Sequence, residues 1–411
     1  MPKPLLIVGA SVRQHVESAR RAGLEPIGVD LFADWDTHQA GPCIQVSSLD
    51  KVPSILQKNP GPWCLAGGLE SHLDQLFTPA TFRQFLGPEP DAIRCVSDIR
   101  RWETLANEWD IPRPQVNFEP FCPPGDWLRK PSASSGGHGV QRAEPGEPKR
   151  SGEYFEARIE GTTLSGLYLT SQAGTRLLGV TCQLTGTDFD LDSSPFAYAG
   201  SIGPLQLDVH LEAQFEGLGQ QIGKATSMLG IWGADFICNE NMIQLIDLNP
   251  RLTASTDLYE HSTDLPSIVG LHVEACEPTY RNPPKTPRPF ATTNHWDLAA
   301  GKAIVYSPLN RPLTIAPSAH RWLAGDPASS RAFRLADIPR PGTEILPCQP
   351  ICTVYETVSR NCLQLRKTAA GVELSEGIGD LQTLLRKRAN QITERLRSED
   401  REAGGKRTSE S

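Results

Sequence analysis

The chain lacks the features that mark several large protein classes. No apolar run approaches the roughly 20 residues that a helix needs to cross a bilayer, so no membrane association is expected. The apolar stretch in MPKPLLIVGASVRQ is too short for a secretion signal and ends in Gly-Ala-Ser. Ten cysteines are scattered with no Cys-x-x-Cys pair, and the closest two, Cys348 and Cys352, lie in CQPIC. That pattern gives neither a disulfide framework nor a zinc site, and it fits reduced thiols in the cytoplasm. A positive surplus is also missing. The 40 Lys and Arg stand against 48 Asp and Glu, a net charge of −8, which speaks against a general nucleic-acid surface. The nine histidines show neither metal spacing nor a nucleophile partner, and there are no internal repeats.

Three familiar motifs fail on their spacing. Gly9 and Asp30 follow the first two expected strands, but the full Gly-x-Gly-x-x-Gly fingerprint is absent. GLGQQIGKATS resembles a phosphate-binding P-loop, yet the interval from Gly217 to Gly223-Lys224 is one residue too long and Ala225 follows the lysine. GASVR lacks the second glycine of a nucleophile elbow.

What is present reads as a mixed α/β protein. A chain of 411 residues exceeds one compact core, so roughly two to four domains are expected. PLLIVGA, EPIGVD, CIQVSS and WCLAGG read as strands alternating with helical patterns, which predicts a parallel sheet with covering helices over 1–90. The first helix, SVRQHVESARRAG, is expected to be capped by Ser11 and closed by Gly23. Its strand ends are the usual ligand crevice of such sheets. GPEP marks a boundary, and Ser97 is expected to cap the helix in SDIRRWETLANEWDIPRP. Residues 91–284 then alternate like antiparallel strands, broken by a helix from about His210 to Leu229 and ending in a hairpin that turns at NEN. RNPPKTPRP marks a further boundary. A small β-rich domain is expected over 285–375, a charged amphipathic helix over 376–398 and a disordered tail over 399–411.

Two stretches carry chemistry. In LRKPSASSGGHGV, Lys130 is followed by residues of almost no bulk: Ser134, Ser135, Gly136, Gly137, His138 and Gly139. Backbone N–H groups in such a loop can converge on an anion, with serine hydroxyls and a lysine beside them. A phosphate cradle and a solvated surface loop both fit this segment. The second stretch is IWGADFICNENMIQLIDLNPR. Residues two apart in a strand share a face, so Asp247, Asn249 and Arg251 line one side and Asp235 can lie opposite them. Two carboxylates and an amide oxygen suit a hard cation such as Mg²⁺, and the arginine suits an anion. A strand-end cap and salt-bridge cluster is the structural alternative.

In this order the segments resemble the ATP-grasp superfamily over about Leu5–Arg251, and KAIVYSP with ADIPRPGTEILPCQPICTVYE resembles the distal domain of predicted carboligases related to biotin carboxylase. The resemblance implies an α/β domain before a two-lobed ATP-binding core, with a lid over about 115–160. It implies ATP and Mg²⁺ (or Mn²⁺) as cofactors, and small-molecule carboxylate and amine substrates. A homo-oligomer is compatible with it. By matching, Lys130 would contact the ATP phosphates and Ser134–Gly139 would close over them. Glu156, Ala157 and Ile159, in FEARIEG, would hold adenine. Asp235, Asp247 and Asn249 would bind the metal, and Arg251 would steady the reacting group. Where the family often has a lysine after the aspartate before the cradle, Ile99 and Arg100 follow Asp98, which leaves Arg100 as the candidate phosphate contact. Thr163 stands near the family's acidic ribose contact. The implied activity is ADP-forming ligation through an acyl phosphate. Bicarbonate-dependent carboxylation and nucleotide binding without turnover are the alternatives.

Overall fold

A computed structural model describes residues 3–408 apart from 133, 192–193, 240–241, 261–266, 279–297, 326–333 and 369–370. The first strands, β1 (Leu5–Val8), β2 (Pro26–Asp30), β3 (Cys43–Gln45) and β4 (Trp63–Leu65), form a parallel sheet in the order β3-β2-β1-β4. Every residue of β1 is buried, as a strand covered on both faces requires. The helix after β1 spans Arg13–Arg21 and is not capped by Ser11, which is exposed. The N–H of Val12 instead donates to the buried Asp30 carboxylate at the end of β2, 3.2 Å away. Gly23 does close that helix: its φ is +71° and its N–H donates to Arg20 O at 2.8 Å.

The expected cap at Ser97 is also corrected. Ser97 is the last residue of a separate helix, Pro90–Ser97, and Asp98 caps the next one, Ile99–Glu108, accepting from the N–H groups of Arg100 and Arg101. The lid follows as an antiparallel sheet of β5 (Val116–Asn117), β6 (Trp127–Pro131), β7 (Gln141–Ala143) and β8 (Glu153–Ala157), in the order β5-β8-β6-β7. Cys122, Trp127, Ala143 and Phe155 form its own small core.

The central layer begins with β9 (Thr162–Ser171), β10 (Gly174–Thr185), β11 (Tyr198–Gly203) and the short β12 (Gln206–Leu207). The helix Val209–Thr226 buries Leu211, Phe215 and Ile222, a spacing of four and seven that lies on one helical face, and packs on β10. Next come β13 (Gly230–Cys238) and β14 (Ile243–Asn249), the expected antiparallel hairpin; positions 240–241 of its expected turn lie outside the described residues. The C-terminal part adds β15 (Leu298–Tyr306), β16 (Leu313–Thr314), β17 (Arg334–Ala336), β18 (Glu344–Ile345), β19 (Pro350–Ser359), β20 (Gln364–Thr368) and β21 (Gly371–Leu374). Of these, β15, β17 and β19 do not form a sheet apart from the core. One eight-stranded sheet runs β14-β13-β9-β10-β11-β15-β19-β17, because β11 pairs with the distant β15, Gly200 standing opposite Ala303. The small sheet β12-β20-β21 likewise mixes both parts, and β16 pairs with β18. The proline-rich segment 281–289 read as a boundary lies outside the described residues.

The last helix runs Glu376–Thr408, past the point where a disordered tail was expected to begin. It buries Ile378, Leu381, Leu385, Ala389, Ile392 and Leu396. Glu399 accepts from Ser318, and Asp400 pairs with Arg311, so the polar end is tied to the body. Positions 409–411 lie outside the described residues. Among the described residues no helix is long and apolar enough to cross a membrane.

Candidate functional site

The β13–β14 hairpin places Asp235 directly opposite Asp247. The register shifts just beyond Asp235, so Phe236 pairs with Leu245, a bulge of the kind that re-aims side chains beside functional sites. On the other side of β13, Ser165 of β9 is the register partner of Asp235 and donates its hydroxyl to Oδ1 at 2.7 Å. Asn249 joins the pair, its Nδ2 lying 3.3 Å from Asp235 Oδ2 and 3.4 Å from Asp247 Oδ2. Its Oδ1 accepts from Arg251 Nη2 at 2.7 Å.

Burial pushes the Asp235 carboxyl up, while Ser165, Gln183, Arg251 and Asn249 oppose the shift. Surrounding protein and the Asp235 charge push Asp247 up to about 7, against Lys130 and Arg251. Asp247 keeps a solvent-exposed face, which weakens the burial contribution and leaves Asp235 as its main opponent. Two facing carboxylates with an amide beside them are oxygen donors that suit Mg²⁺, and a bound cation would relieve their repulsion. Among the described residues no cluster of three or more His, Cys, Asp or Glu is placed to hold a metal, and Asn249 turns its Nδ2 to the two carboxylates and its Oδ1 to Arg251.

Lys130 reaches the site from the lid. Its Nζ donates to Glu156 Oε1 at 2.7 Å, a diagonal contact between β6 and β8, where Lys130 stands opposite Tyr154 and Glu156 opposite Leu128. Burial opposes its charge, but Glu156, with Tyr154 and Asp247, outweighs it and holds the ammonium protonated above the ordinary lysine range. The Glu156 carboxylate is therefore committed to Lys130. Ala157 ends β8, and its N–H donates to Gln115 O at 2.8 Å; Ile159 lies half-buried just beyond.

The glycine loop is docked, unlike a freely solvated one. Gly136, Gly137 and Gly139 have φ of +62°, +72° and +78°. The N–H of Tyr198, at the start of β11, donates to Gly136 O at 2.8 Å. A Cβ on Gly137 would stand 1.9 Å from Phe196 O, so only glycine permits this approach. Ser135 Oγ accepts from Arg251 Nη2 at 3.3 Å, while Ser134 is half-buried and His138 exposed. Arg100 lies at the root of the lid, its guanidinium 4.0 Å above the ring of Phe118.

Three contributors were not anticipated. Ser165 and Gln183 sit inside strands with no local motif around them. Glu70 follows β4 in GGLES and accepts from Arg251 Nε at 2.5 Å. The crevice at the strand ends was legible; the glutamate that uses it was not.

Residues 99–255 match the family model described as an ATP-grasp domain. No sequence among the curated proteins matches the chain. Among solved structures, the carboxyaminoimidazole ribonucleotide synthase of Aspergillus clavatus complexed with ATP has 13% identity and a TM-score of 0.66, covering 96% of this chain and 99% of that one. The biotin carboxylase domain of the Hydrogenobacter thermophilus 2-oxoglutarate carboxylase, in complex with MgADP, ADP and bicarbonate, has 12% identity and a TM-score of 0.64, covering 87% of each chain. Biotin carboxylase from Campylobacter jejuni has 13% identity and a TM-score of 0.62, covering 93% and 95%. Residues 99–255 are thus similar to an ATP-grasp domain, and the chain as a whole shares the fold of these synthase and biotin carboxylase structures.

Proposed function

We propose that this protein is an ATP-dependent ligase that activates a small-molecule carboxylate as an acyl phosphate and transfers the acyl group to an amine, releasing ADP and phosphate. The observation that carries this reading is the convergence of Asp235, Asp247, Asn249 and Arg251 beneath a lid that carries Lys130. ATP would lie between the lid sheet and the β13–β14 hairpin. Lys130 and the N–H groups of Ser134–Gly139 would bind its phosphates, and Ala157 to Ile159 would border adenine. Mg²⁺ held by Asp235, Asp247 and Asn249 would neutralise phosphate charge during transfer. Arg251 would orient the γ-phosphoryl group and the acid it joins. The docked glycine loop would keep water from a hydrolysable acyl phosphate. The fold's likeness to proteins whose structures hold ATP or MgADP supports the cofactor assignment.

Carboxylation with bicarbonate as the acid is a second reading, supported by the likeness to a bicarbonate-bound carboxylase domain. One experiment separates the two. The protein is incubated with MgATP, hydroxylamine and a panel of amino and organic acids, and products are read by mass spectrometry. Ligation predicts ADP together with a hydroxamate of one acid. ADP release that requires bicarbonate, without a hydroxamate, supports carboxylation. AMP and pyrophosphate as products would sink both readings.

A further inference from the structure

Arg251 is gripped on more than one edge. Its Nε donates to Glu70 Oε1 at 2.5 Å and its Nη1 to Leu252 O at 3.4 Å. Its Nη2 is shared between Asn249 Oδ1 at 2.7 Å and Ser135 Oγ at 3.3 Å. Glu70 comes from another layer, the first residue of the short turn Glu70–His72 after β4. Its second oxygen accepts the N–H of Gly68 at 2.9 Å, so both oxygens are anchored. Gly67 closes the grip: a Cβ there would stand 3.1 Å from Arg251 Nη1.

The two edges of the guanidinium differ in kind. The Nε edge meets a carboxylate at a short distance, a charge-assisted bond. The Nη2 edge meets only a neutral amide and a hydroxyl, partners that an anion can displace. An amide oxygen of Asn249 turned to a cation could no longer accept from Nη2. A guanidinium released there without a second anchor would swing to the nearest carboxylates, Asp235 and Asp247. We propose that Glu70 is a positioning residue that fixes Arg251 by its Nε edge, so that Nη2 passes from Asn249 to an oxygen of the phosphoryl or acyl-phosphate group. This rests on the ligase reading above.

The sign of the effect makes the proposal testable. Glu70 is negative, so Coulomb repulsion alone predicts that removing it strengthens anion binding. Positioning predicts the opposite. The probe is inorganic phosphate, titrated calorimetrically into the MgADP complex at constant ionic strength. Glu70→Ala is expected to keep MgADP affinity within about twofold and to weaken phosphate binding about tenfold or more. Glu70→Gln retains an oxygen acceptor for Nε without the charge, and is expected to bind phosphate at least as well as the natural protein. Phosphate affinity unchanged or raised in Glu70→Ala would overturn the proposal, as would a natural protein that binds MgADP but not phosphate. If Glu70→Ala does not fold, Glu70→Asp takes its place: its shorter reach is expected to weaken phosphate binding, and unchanged affinity overturns the proposal. Failure of the natural protein to bind MgADP is a different result, which removes the ligase reading and this inference with it.

Discussion

Asp235 and Asp247 stand face to face across the β13–β14 hairpin, with the Asn249 amide bonded to both. Each carboxylate raises the cost of charging the other, and a divalent cation between them would remove that cost. Asp247→Asn is therefore expected to leave thermal stability unchanged or higher in the metal-free protein. It is expected to weaken Mg²⁺ binding about tenfold or more, since a neutral amide is a poorer ligand for a hard cation. Calorimetric Mg²⁺ titration and a melting curve on the same variant test both halves. Full metal affinity in the variant would return the pair to a structural role.

Lys130 has two duties that substitution can separate. It neutralises the buried Glu156, and it is the proposed phosphate contact. Lys130→Met alone leaves a buried carboxylate unpaired, so it is expected to destabilise the lid and to weaken MgATP binding by about 1.5–3 kcal/mol. Adding Glu156→Gln should restore lid stability without restoring nucleotide affinity. Recovery of affinity in the double variant would show that Lys130 serves Glu156 only.

Arg13 ties the parallel sheet's helix to the far end of the central sheet. Its Nε lies 2.7 Å from Asp337, its Nη1 2.8 Å from Glu17, and its Nη2 donates to Tyr355 at 3.0 Å. Asp257, which also pairs with Lys302, lies 3.7 Å away, and its carboxyl is held down to about 2 against its burial by Lys302 and Arg13. Arg13→Met strands these carboxylates, with an expected loss of about 3–5 kcal/mol in folding free energy, measured by urea unfolding. A loss below about 1 kcal/mol would mean that Lys302 alone balances the cluster.

His272 makes stability depend on acidity. Its Nδ1 accepts the N–H of Ile231 at 2.9 Å, so Nε2 carries the proton and donates to Leu86 O at 2.9 Å. Burial pushes the ring down to about 4, against the Leu86 carbonyl. The folded state thus holds a neutral ring, while the unfolded chain takes up a proton near 6.5. The unfolded state binds the extra proton between about 4 and 6.5, so stability is full above that window and falls as pH drops through it. Buried His15, pushed down to about 3 by burial, adds in the same direction. Between about pH 7 and pH 5, His272 is expected to account for roughly 2 kcal/mol of lost stability. His272→Gln should make the urea midpoint less sensitive to pH over that interval; an unchanged slope would assign the acid sensitivity elsewhere.

The sequence by itself determined what depends on near neighbours. The buried strand Leu5–Val8, the alternation of strand and helix up to Leu65, and the hairpin that sets Asp235 against Asp247 all follow from periodicity within a few residues. So did the candidate status of Lys130 and of the glycines that follow it. Helix starts were less legible, because Asp30 and Asp98 compete with Ser11 and Ser97 for the same free N–H groups, and a carboxylate wins where the backbone brings it near. Only the tertiary structure decided that β15, β17 and β19 extend the central sheet, since strand pairing across distant segments leaves no local signal. It also decided that Glu156 faces Lys130, that Ser165 backs Asp235 and that Glu70 grips Arg251. The last contact joins residues 181 positions apart. Neither residue's neighbours encode it; it exists because the β4 loop of one layer is packed against the end of β14 in another, where Leu252 N–H donates to Leu65 O at 3.1 Å.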